Sequence, residues 1–437
     1  MDFYVEPSEN LSGEIEIPGD KSISHRAVIF GSLASGVSQF TNFLTGEDCL
    51  ATLNAFKEMG VFANLSDDQL IIHGVGINGL NKASEALYLG NSGTSARLLV
   101  GLLGAQNFES TIEGDKSLSG RPMNRVLDPL ETMGANIRSN NGKLPIHIKS
   151  VDELSGIDYS LPVASAQVKS SLILASIYAD SQSKIKEKWV TRDHTERMMK
   201  SMGYPISSID KVISVEGKGK FNPIKLNIPG DFSSSVFLIV ACLITPNSSI
   251  LIKNVGINST RVGFLHIAKM MGANINIHNK RMEGYEPVAD INVKTSSLQS
   301  IQIDDSDLVS LSIDEFPALF ILAANATGTS TFKGIRELRV KESDRISSMA
   351  RGFQKLGINT VEFEDGIQIE GGKLDGGDVE CFGDHRVAMS FAVAGAVAKN
   401  AIKINNVESV GTSFPSFLDC VKKIGICIYT NKEEHNK

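Results

Sequence analysis

The chain has 437 residues and a formal net charge of −7, and hydrophobic residues make up 42% of it and charged residues 21%. This length predicts two to three domains, and this composition is typical of a soluble globular protein. The acidic balance argues against general binding to nucleic acid or to an anionic membrane, and the longest apolar runs, near 236–244 and 388–398, are too short to span a bilayer.

The five cysteines are scattered along the chain, which predicts buried thiols in a reducing compartment. No basic segment followed by an apolar core occurs at 1–7, so we expect no signal peptide and a cytoplasmic location. His25, His194 and His385 each lie beside a predicted helix start, but no two of them have the spacing of metal ligands. We therefore expect no metal site.

The first predicted elements form a β-α-β-α-β-β unit. Residues 13–18 alternate as a strand, 22–35 form an apolar helix, and 37–43 form a second strand. Asp48 is expected to cap a second, amphipathic helix that ends at Gly60. A hairpin follows it.

The same unit recurs six times, at intervals of about 70 residues. In each unit a strand leads through a polar turn into an apolar helix, and the turns lie at 18–22, 90–94, 165–167, 229–233, 314–315 and 384–386. About 40 residues after each turn, a glycine that follows an apolar residue is predicted to end the second helix. These glycines are Gly60, Gly134, Gly203, Gly272, Gly357 and Gly425.

The first helix of each unit is apolar on nearly all faces, which predicts that it is buried, whereas the second helices are amphipathic and should lie outside. We therefore predict an α/β (α+β) fold. It has two domains, each built of three β-α-β-α-β-β units around a bundle of buried helices.

Two nearly identical phrases, at 15–20 and 226–231, lie about half a chain apart. Each alone could be a strand end with a proline turn. Taken together, they favour two points at which the chain crosses between domains. The prediction is one domain of residues 20–230 and a second of residues 1–19 and 231–437.

Several cations lie on or near these helix starts, where free backbone N–H groups favour anions. Charges at the ends of buried helices are unexpected unless solvent or a ligand meets them. We therefore predict a binding site for phosphate and carboxylate groups. The cations are Lys21, Arg26, Arg97, Arg121, Lys169, Arg192, Lys341, Arg345 and Arg386.

Carboxylates occupy the same places, at Asp314, Glu342 and Asp384. A carboxylate beside several cations stays ionised and can accept a proton from a substrate hydroxyl, while a second carboxyl group donates one elsewhere. These residues suggest proton transfer as well as anion binding.

Plain structural interpretations remain open for the same residues. The residues Asp20, Ser22, Asp314 and Asp384 could each be ordinary helix caps, and 341–345 could be a solvated helix start. The match of 74–79 to G-x-G-x-x-G is discounted, because no helical apolar pattern follows it.

Five segments together resemble the signatures of the 5-enolpyruvylshikimate-3-phosphate synthase family, and they occur in order along essentially the whole chain. They are PGDKSISHRA at 18–27, GNSGT at 90–94, RPM at 121–123, LRVKESDR at 338–345 and DHR at 384–386. The resemblance implies a monomer with an inverse barrel-like fold and an active site in the cleft between its two domains. It also implies transfer of the enolpyruvyl group of phosphoenolpyruvate to the 5-hydroxyl of shikimate 3-phosphate, with release of phosphate and without a metal or organic cofactor.

The resemblance also implies a role for each matching residue. Asp314 would accept the proton of the attacking hydroxyl, and Glu342 would donate a proton to the vinyl carbon. Shikimate 3-phosphate would contact Lys21, Ser22, Arg26, Ser165, Ala166, Gln167, Arg192 and Lys341. Phosphoenolpyruvate would contact Lys21, Gly93, Arg121, Gln167, Arg345 and Arg386. Most shikimate 3-phosphate contacts would then lie in the 20–230 domain.

Further segments, at 165–169, 192–196 and 258–261, resemble the second class of the family, which is associated with tolerance to glyphosate. Gly93, by contrast, is the residue typical of sensitive members. Thr412 stands where many members have a lysine that contacts phosphoenolpyruvate. These features conflict, so sensitivity to glyphosate stays open.

Two other functions fit the same predicted fold. The related enolpyruvyl transferase that acts on UDP-N-acetylglucosamine usually has a cysteine in the loop before its Arg-Pro pair, and 114–122 contains none. A non-catalytic anion-binding repeat protein would need the cations but not Asp314 and Glu342. The sequence therefore favours transfer of the enolpyruvyl group to shikimate 3-phosphate.

Overall fold

The computed structural model describes residues 1–431, which divide into two compact units. The central unit comprises Gly19–Ile228 together with Glu283–Glu286. The terminal unit comprises Met1–Pro18, Pro229–Met282 and the chain from Pro287 onward. Each unit has a hydrophobic core of its own.

The strands of both units are short. In chain order they are β1 (Phe3–Glu6), β2 (Ser12–Glu16), β3 (Ser35–Thr41), β4 (Phe62–Ser66), β5 (Gln69–Val75), β6 (Leu87–Tyr88), β7 (Ser110–Glu113), β8 (Asn136–Ser139), β9 (Ile146–Lys149), β10 (Asp158–Ser160), β11 (Ser183–Lys186), β12 (Ile206–Ile209), β13 (Val212–Val215), β14 (Lys225–Asn227), β15 (Ser249–Gly256), β16 (Asn274–Glu283), β17 (Glu286–Lys294), β18 (Gln302–Ile303), β19 (Thr329–Phe332), β20 (Thr360–Phe363), β21 (Gly366–Glu370), β22 (Gly377–Glu380), β23 (Ile402–Asn405) and β24 (Cys427–Thr430).

Within residues 1–431 these strands form six four-stranded sheets on one plan. The orders are β14-β3-β5-β4, β6-β7-β9-β8 and β10-β11-β13-β12 in the central unit, and β2-β15-β17-β16, β18-β19-β21-β20 and β22-β23-β1-β24 in the terminal unit. The first two strands of each order run parallel, and the second and third run antiparallel. The repeat predicted from the sequence is therefore present six times.

One strand assignment from the sequence is wrong. The strand expected at 13–18 to open the first unit of the repeat is β2, which pairs with β15 of the fourth unit. Its place beside β3 is taken by β14, whose last two residues begin the other crossing phrase at 226–231. The strand at each phrase, β2 or β14, thus belongs to the compact unit that the chain is leaving. The turn Glu283–Glu286 also differs from the prediction, because it groups with the central unit.

The helices in chain order are α1 (Lys21–Leu33), α2 (Glu47–Glu58), α3 (Gly93–Leu103), α4 (Lys116–Gly120), α5 (Asn124–Thr132), α6 (Ala166–Ser176), α7 (His194–Ser201), α8 (Phe232–Ile244), α9 (Gly263–Met270), α10 (Ser306–Ser312), α11 (Phe316–Ala324), α12 (Arg345–Lys355), α13 (His385–Gly395), α14 (Val410–Ser413) and α15 (Phe417–Lys423). Two 3₁₀ segments cover Arg336–Val340 and Val407–Ser409. Each helix within the described chain is too short or too polar to cross a membrane.

The apolar first helices of the units are buried, as predicted. In the central unit α3 packs against α6, and in the terminal unit α8, α11 and α13 pack against one another. Every residue of α11 is buried. Burying helices that are apolar all round removes their whole surface from water, and this is the main favourable contribution to each core.

The helix ends follow the sequence analysis with three exceptions, of which one is Ser22, because it lies in the first turn of α1 after the cap residue Asp20. All six predicted glycines have positive φ, between 77° and 106°, which a residue with a side chain adopts at a cost. Asp48 does not cap α2, because Gly46 has the extended cap conformation and Asp48 lies in the first turn. Asp314 does not cap α11, because Glu315 holds the cap position and makes no capping hydrogen bond.

Candidate active site

The start of α1 brings together several predicted site residues of the central unit. Asp20 accepts a hydrogen bond from the Ile23 N–H at 2.9 Å and so fixes the first turn. The Lys21 ammonium pairs with Asp48 at 2.8 Å. The Ser22 hydroxyl accepts from Arg192 at 3.4 Å. Lys21, Ser22 and Arg192 therefore form one polar group at this helix end.

Arg26 lies one turn further along α1 and is 4% exposed. Its guanidinium donates to Thr195 Oγ1 at 2.7 Å, to Ser170 Oγ at 2.8 Å and to the Ser22 carbonyl at 2.8 Å. Burial lowers the pKa of Arg26 to about 10, which still leaves it charged at neutral pH. Arg26 thus places a positive charge under the Ser22 turn while tying α1 to two neighbouring helices.

The starts of α3 and α6 form a second polar group in the same unit. Ser165 caps α6, and the Gln167 side-chain amide accepts from Arg97 at 2.9 Å and donates to Thr94 at 3.0 Å. A Cβ on Gly93 would lie 2.8 Å from Arg97 Nη1 and 3.0 Å from Arg121 Nη1. The absence of a side chain at Gly93 therefore leaves room for two guanidinium groups. Ala166 is the first residue of α6.

Lys169 does not share the setting of the other cations, although the sequence placed it with them. Its side chain is fully buried, and its ammonium lies 2.8 Å from Glu196 and 3.1 Å from Glu187. Lys169 is therefore paired inside the central unit.

The terminal unit gathers acidic and basic groups around Arg345, which is 1% exposed. Its guanidinium contacts Asp384 at 2.8 Å, Glu342 at 2.5 Å and Asp314 at 3.5 Å. Lys341 lies 3.8 Å from Asp314. Four of the predicted residues, at 314, 341, 342 and 345, are thus in one cluster.

The charge state of Arg345 follows from its neighbours. Burial alone would lower the pKa of Arg345, but Asp384, Glu342 and Asp314 together raise it above its usual value. Arg345 therefore stays charged at every ordinary pH, and it supplies a fixed positive charge beside Asp314 and Glu342. The buried Asp384 also caps α13 by accepting from the Arg386 N–H at 2.9 Å.

Arg386 joins this cluster through the backbone, since its guanidinium donates to the Asp314 carbonyl at 2.9 Å. Glu315 lies 4.0 Å from Arg386 and accepts a hydrogen bond from Ser233, which in turn accepts one from Arg261. Burial raises the pKa of Glu315, although Arg386 and Arg261 act against this rise. The anion in contact with the start of α8 is therefore the protein's own Glu315.

Sequence reasoning did not anticipate Asp48 as the partner of Lys21, nor Asn91 as an acceptor for Arg121. It also missed Glu315, although the second carboxylate in Asp314-Glu315 was visible as a signal. At Thr412, the hydroxyl donates to the Ser409 carbonyl at 2.7 Å. Within residues 1–431 no group of three His, Cys, Asp or Glu side chains has a geometry that could hold a metal ion.

The two arrangements can bind polyanions and can move protons. Cations and helix N-termini offset the repulsion between phosphate and carboxylate groups. The Asp314 carboxylate lies beside the cations Arg345 and Lys341, an arrangement suited to accepting a proton. The roles of individual residues remain predictions.

Comparison with known proteins connects this chemistry to a family. The family profile of EPSP synthase (3-phosphoshikimate 1-carboxyvinyltransferase) matches residues 5–421. A 3-phosphoshikimate 1-carboxyvinyltransferase of Legionella pneumophila (strain Corby) is 53% identical over 419 residues, which are 96% of each chain. A protein of the same name from Vesicomyosocius okutanii is 48% identical over 428 residues, which are 98% of each chain.

Solved structures agree with the sequence comparison. An EPSP synthase from Acinetobacter baumannii superposes with a TM-score of 0.89 at 46% identity, over 98% of this chain and 99% of that one. An enolpyruvyl transferase from Streptomyces tendae has a TM-score of 0.81 at 15% identity, over 98% of both chains, which shows that the fold is shared. The predicted fold class is therefore confirmed, and the chain belongs to the EPSP synthase family of transferases.

Proposed function

We propose that the protein transfers the enolpyruvyl group of phosphoenolpyruvate to the 5-hydroxyl of shikimate 3-phosphate and releases phosphate, a step in aromatic amino acid (chorismate) biosynthesis. The observation that carries the proposal is the Asp314–Arg345–Glu342 cluster in a chain that matches its family over residues 5–421. The cluster offers two carboxyl groups, each in contact with the same permanent cation.

The central unit supplies most of the contacts to shikimate 3-phosphate in this proposal. Lys21, Ser22 and Arg192 meet at the start of α1, and Arg26 adds a buried positive charge below them. Ser165, Ala166 and Gln167 present the start of α6, whose backbone N–H groups favour an anion. Lys341 of the terminal unit adds one more cation.

Phosphoenolpyruvate would be held by Arg121, Gln167, Arg345 and Arg386, and it would also contact Gly93. Lys21 would contact both substrates. Guanidinium groups suit this ligand because they hold carboxylate and phosphate oxygens through two parallel hydrogen bonds.

The chemistry is addition followed by elimination through a tetrahedral intermediate. Asp314 would take the proton of the attacking 5-hydroxyl, and Glu342 would give a proton to the methylene carbon of phosphoenolpyruvate. A new carbon–oxygen bond forms in the first step. The bond from that carbon to the phosphate oxygen breaks in the second, as a proton leaves the methyl group.

We also propose that the chain belongs to the second class of the family, on the motifs at 165–169, 192–196 and 258–261. Arg192 supports this assignment by its position beside Ser22. Gly93, which is the residue typical of sensitive members, argues against tolerance to glyphosate. Inhibition by glyphosate at several phosphoenolpyruvate concentrations, compared between the natural chain and Gly93→Ala, tests the assignment. A natural chain inhibited as strongly as sensitive members would contradict tolerance.

The remaining proposals concern the state of the protein in the cell. We expect a cytoplasmic monomer that binds neither nucleic acid nor membrane. None of the five cysteines, which all lie within residues 1–431, forms a disulfide bond, and this fits a reducing compartment. Light scattering of the purified protein tests the monomer, and a dimer mass would contradict it.

Phosphate release by the purified protein tests the reaction itself. We expect release from phosphoenolpyruvate only when shikimate 3-phosphate is also present. Release with UDP-N-acetylglucosamine instead would identify the related transferase. No release with either acceptor would contradict the proposed function and would favour a non-catalytic binding protein.

A further inference from the structure

A buried ion cluster lies directly behind the residues proposed to bind shikimate 3-phosphate. It consists of Lys169, Glu187 and Glu196, whose side chains are 0%, 6% and 4% exposed. We propose that Lys169 is a positioning residue, which fixes the loop 187–193 so that Arg192 meets shikimate 3-phosphate. This inference rests on the proposed function.

The cluster joins three elements of the central unit. Lys169 lies in the first turn of α6, Glu187 follows β11, and Glu196 is in the first turn of α7. The ammonium lies 2.8 Å from Glu196 and 3.1 Å from Glu187. The same helix therefore presents Ser165 to Gln167 at its start and holds both ends of the 187–193 loop.

The loop 187–193 has no regular secondary structure of its own, so its shape depends on these ties. Thr191 is the point of attachment. Its carbonyl accepts from the Lys169 ammonium at 3.3 Å, and its N–H and hydroxyl donate to Glu187 at 3.1 Å and 2.5 Å. Arg192 is the next residue in the chain, and its guanidinium reaches the Ser22 hydroxyl.

The charges around Lys169 explain why a cation is needed between Glu187 and Glu196. Burial alone would lower the pKa of Lys169, but Glu196 and Glu187 raise it, so the ammonium stays charged. Without it, Glu187 and Glu196 would lose the ammonium that they share and the Thr191 carbonyl would lose its donor, so the loop would lose its ties to α6 and would be free to move. Movement of the loop carries Arg192 away from Ser22.

The experiment measures the Kd of shikimate 3-phosphate by calorimetry for the natural chain and for Lys169→Met. We expect the Kd to rise about tenfold or more, as for the loss of one charged hydrogen bond. Lys186→Gln is the matched control. It removes a partly exposed ion pair with Asp158 at the end of β11, directly before Glu187. Its Kd should not change.

A double-mutant cycle with Arg192→Ala separates positioning from general destabilisation. If Lys169 acts through Arg192, then Lys169→Met should change the Kd by less than about twofold in the Arg192→Ala background. An equal fold-change in both backgrounds, or no change in either, would overturn the inference.

A milder variant covers the case in which Lys169→Met does not fold. Thr191→Val keeps all three charges and removes only the hydroxyl bond to Glu187. It should raise the Kd between about twofold and tenfold, and an unchanged Kd would contradict the role of the loop. A natural chain that neither binds shikimate 3-phosphate nor releases phosphate would instead remove the proposed function, and the inference with it.

Discussion

At the scale of single residues, the terminal unit holds a carboxylate, Asp314, that lies beside two cations. Asp314 lies 3.5 Å from Arg345 and 3.8 Å from Lys341, and its side chain is 13% exposed. Neighbouring cations suit a carboxylate to accepting a proton, and the partial exposure of Asp314 leaves it open to a substrate hydroxyl.

Replacement of Asp314 by Asn should therefore lower kcat much more than it raises either KM. General-base catalysis contributes about 10²- to 10⁴-fold, and Asn keeps the size but cannot take a proton. Steady-state kinetics measure the effect. Asp375→Asn, which breaks an exposed pair with Lys399, is the control and should leave kcat unchanged. An unchanged kcat for Asp314→Asn would remove its proposed role.

The loss of Arg345 should act on both binding and stability. Arg345→Ala should mainly raise the KM for phosphoenolpyruvate. It should also lower the free energy of unfolding by about 3–5 kcal/mol, because Asp384 is buried and would lose its cation. Kinetics and denaturant unfolding measure the two effects. Arg351→Ala, at an exposed position of the same helix, is the comparison. If both variants behaved alike, neither role of Arg345 would stand.

His25 should make the stability sensitive to mild acid. Its ring is fully buried and contacts Thr52 Oγ1 at 2.8 Å, and burial lowers its pKa from 6.5 to about 3. The unfolded chain therefore binds a proton near pH 6.5 that the folded chain refuses. The resulting stability is fully present above pH 6.5 and is lost as the pH falls from there toward 3, by about 1.4 kcal/mol per pH unit.

Unfolding free energies of the natural chain and of His25→Gln, measured at pH 7.5 and pH 5.5, test this sign. The natural chain should lose about 1.4 kcal/mol more than the variant over this interval. Equal losses would show that His25 takes up its proton without unfolding.

At the scale of elements, the sequence predicts the repeat because each unit carries local signals. An apolar helix, a polar turn and a helix-ending glycine are all read within one segment, and the six glycines all have positive φ. Local signals fail where a partner comes from elsewhere. The prediction could not show that β2 pairs with β15, nor that Asp48 meets Lys21, because those contacts join distant segments.

The same limit applies to the prediction of the candidate site. The signature segments supplied most of the candidate residues, but the surroundings of each cation decide its use. Lys169 has the same local sequence setting as the site cations, yet Glu187 and Glu196 hold it in the interior. Burial of this kind depends on packing between elements and has no signal in a single segment.

The helix-ending glycines give a prediction at this scale. Gly134 has a φ of +104°, and an added Cβ would come no closer than 4.0 Å to Leu154, so backbone strain alone opposes a side chain there. Gly134→Ala should lower the free energy of unfolding by about 1–2 kcal/mol. Gly411→Ala is the control, since no atom lies within 4 Å and φ is not positive. A loss at Gly411 as large as that at Gly134 would show that strain is not the cause.

At the scale of the whole molecule, the two units have separate hydrophobic cores and separate groups of polar residues. Shikimate 3-phosphate alone should therefore slow amide hydrogen exchange mainly in the central unit. We expect slower exchange in the first turns of α1 and α6 and in 187–193, because bound ligand suppresses local opening. Hydrogen exchange with mass spectrometry, with and without the ligand, measures this. Protection confined to α8 and α9 would contradict the assignment.

The pairing of β1 with β23 and β24 has a consequence for synthesis on the ribosome. The strands β23 and β24, which β1 joins, are made long after it, and β2 waits for β15. The central unit, in contrast, contains nearly all of its own partners by Ile228. We therefore expect the middle of the chain to fold first during translation, while β2 stays unpaired until β15 emerges and β1 stays unpaired until β23 and β24 emerge. Among the strands within residues 1–431, β1 is thus one of the last to reach its native place, although it is made before the others.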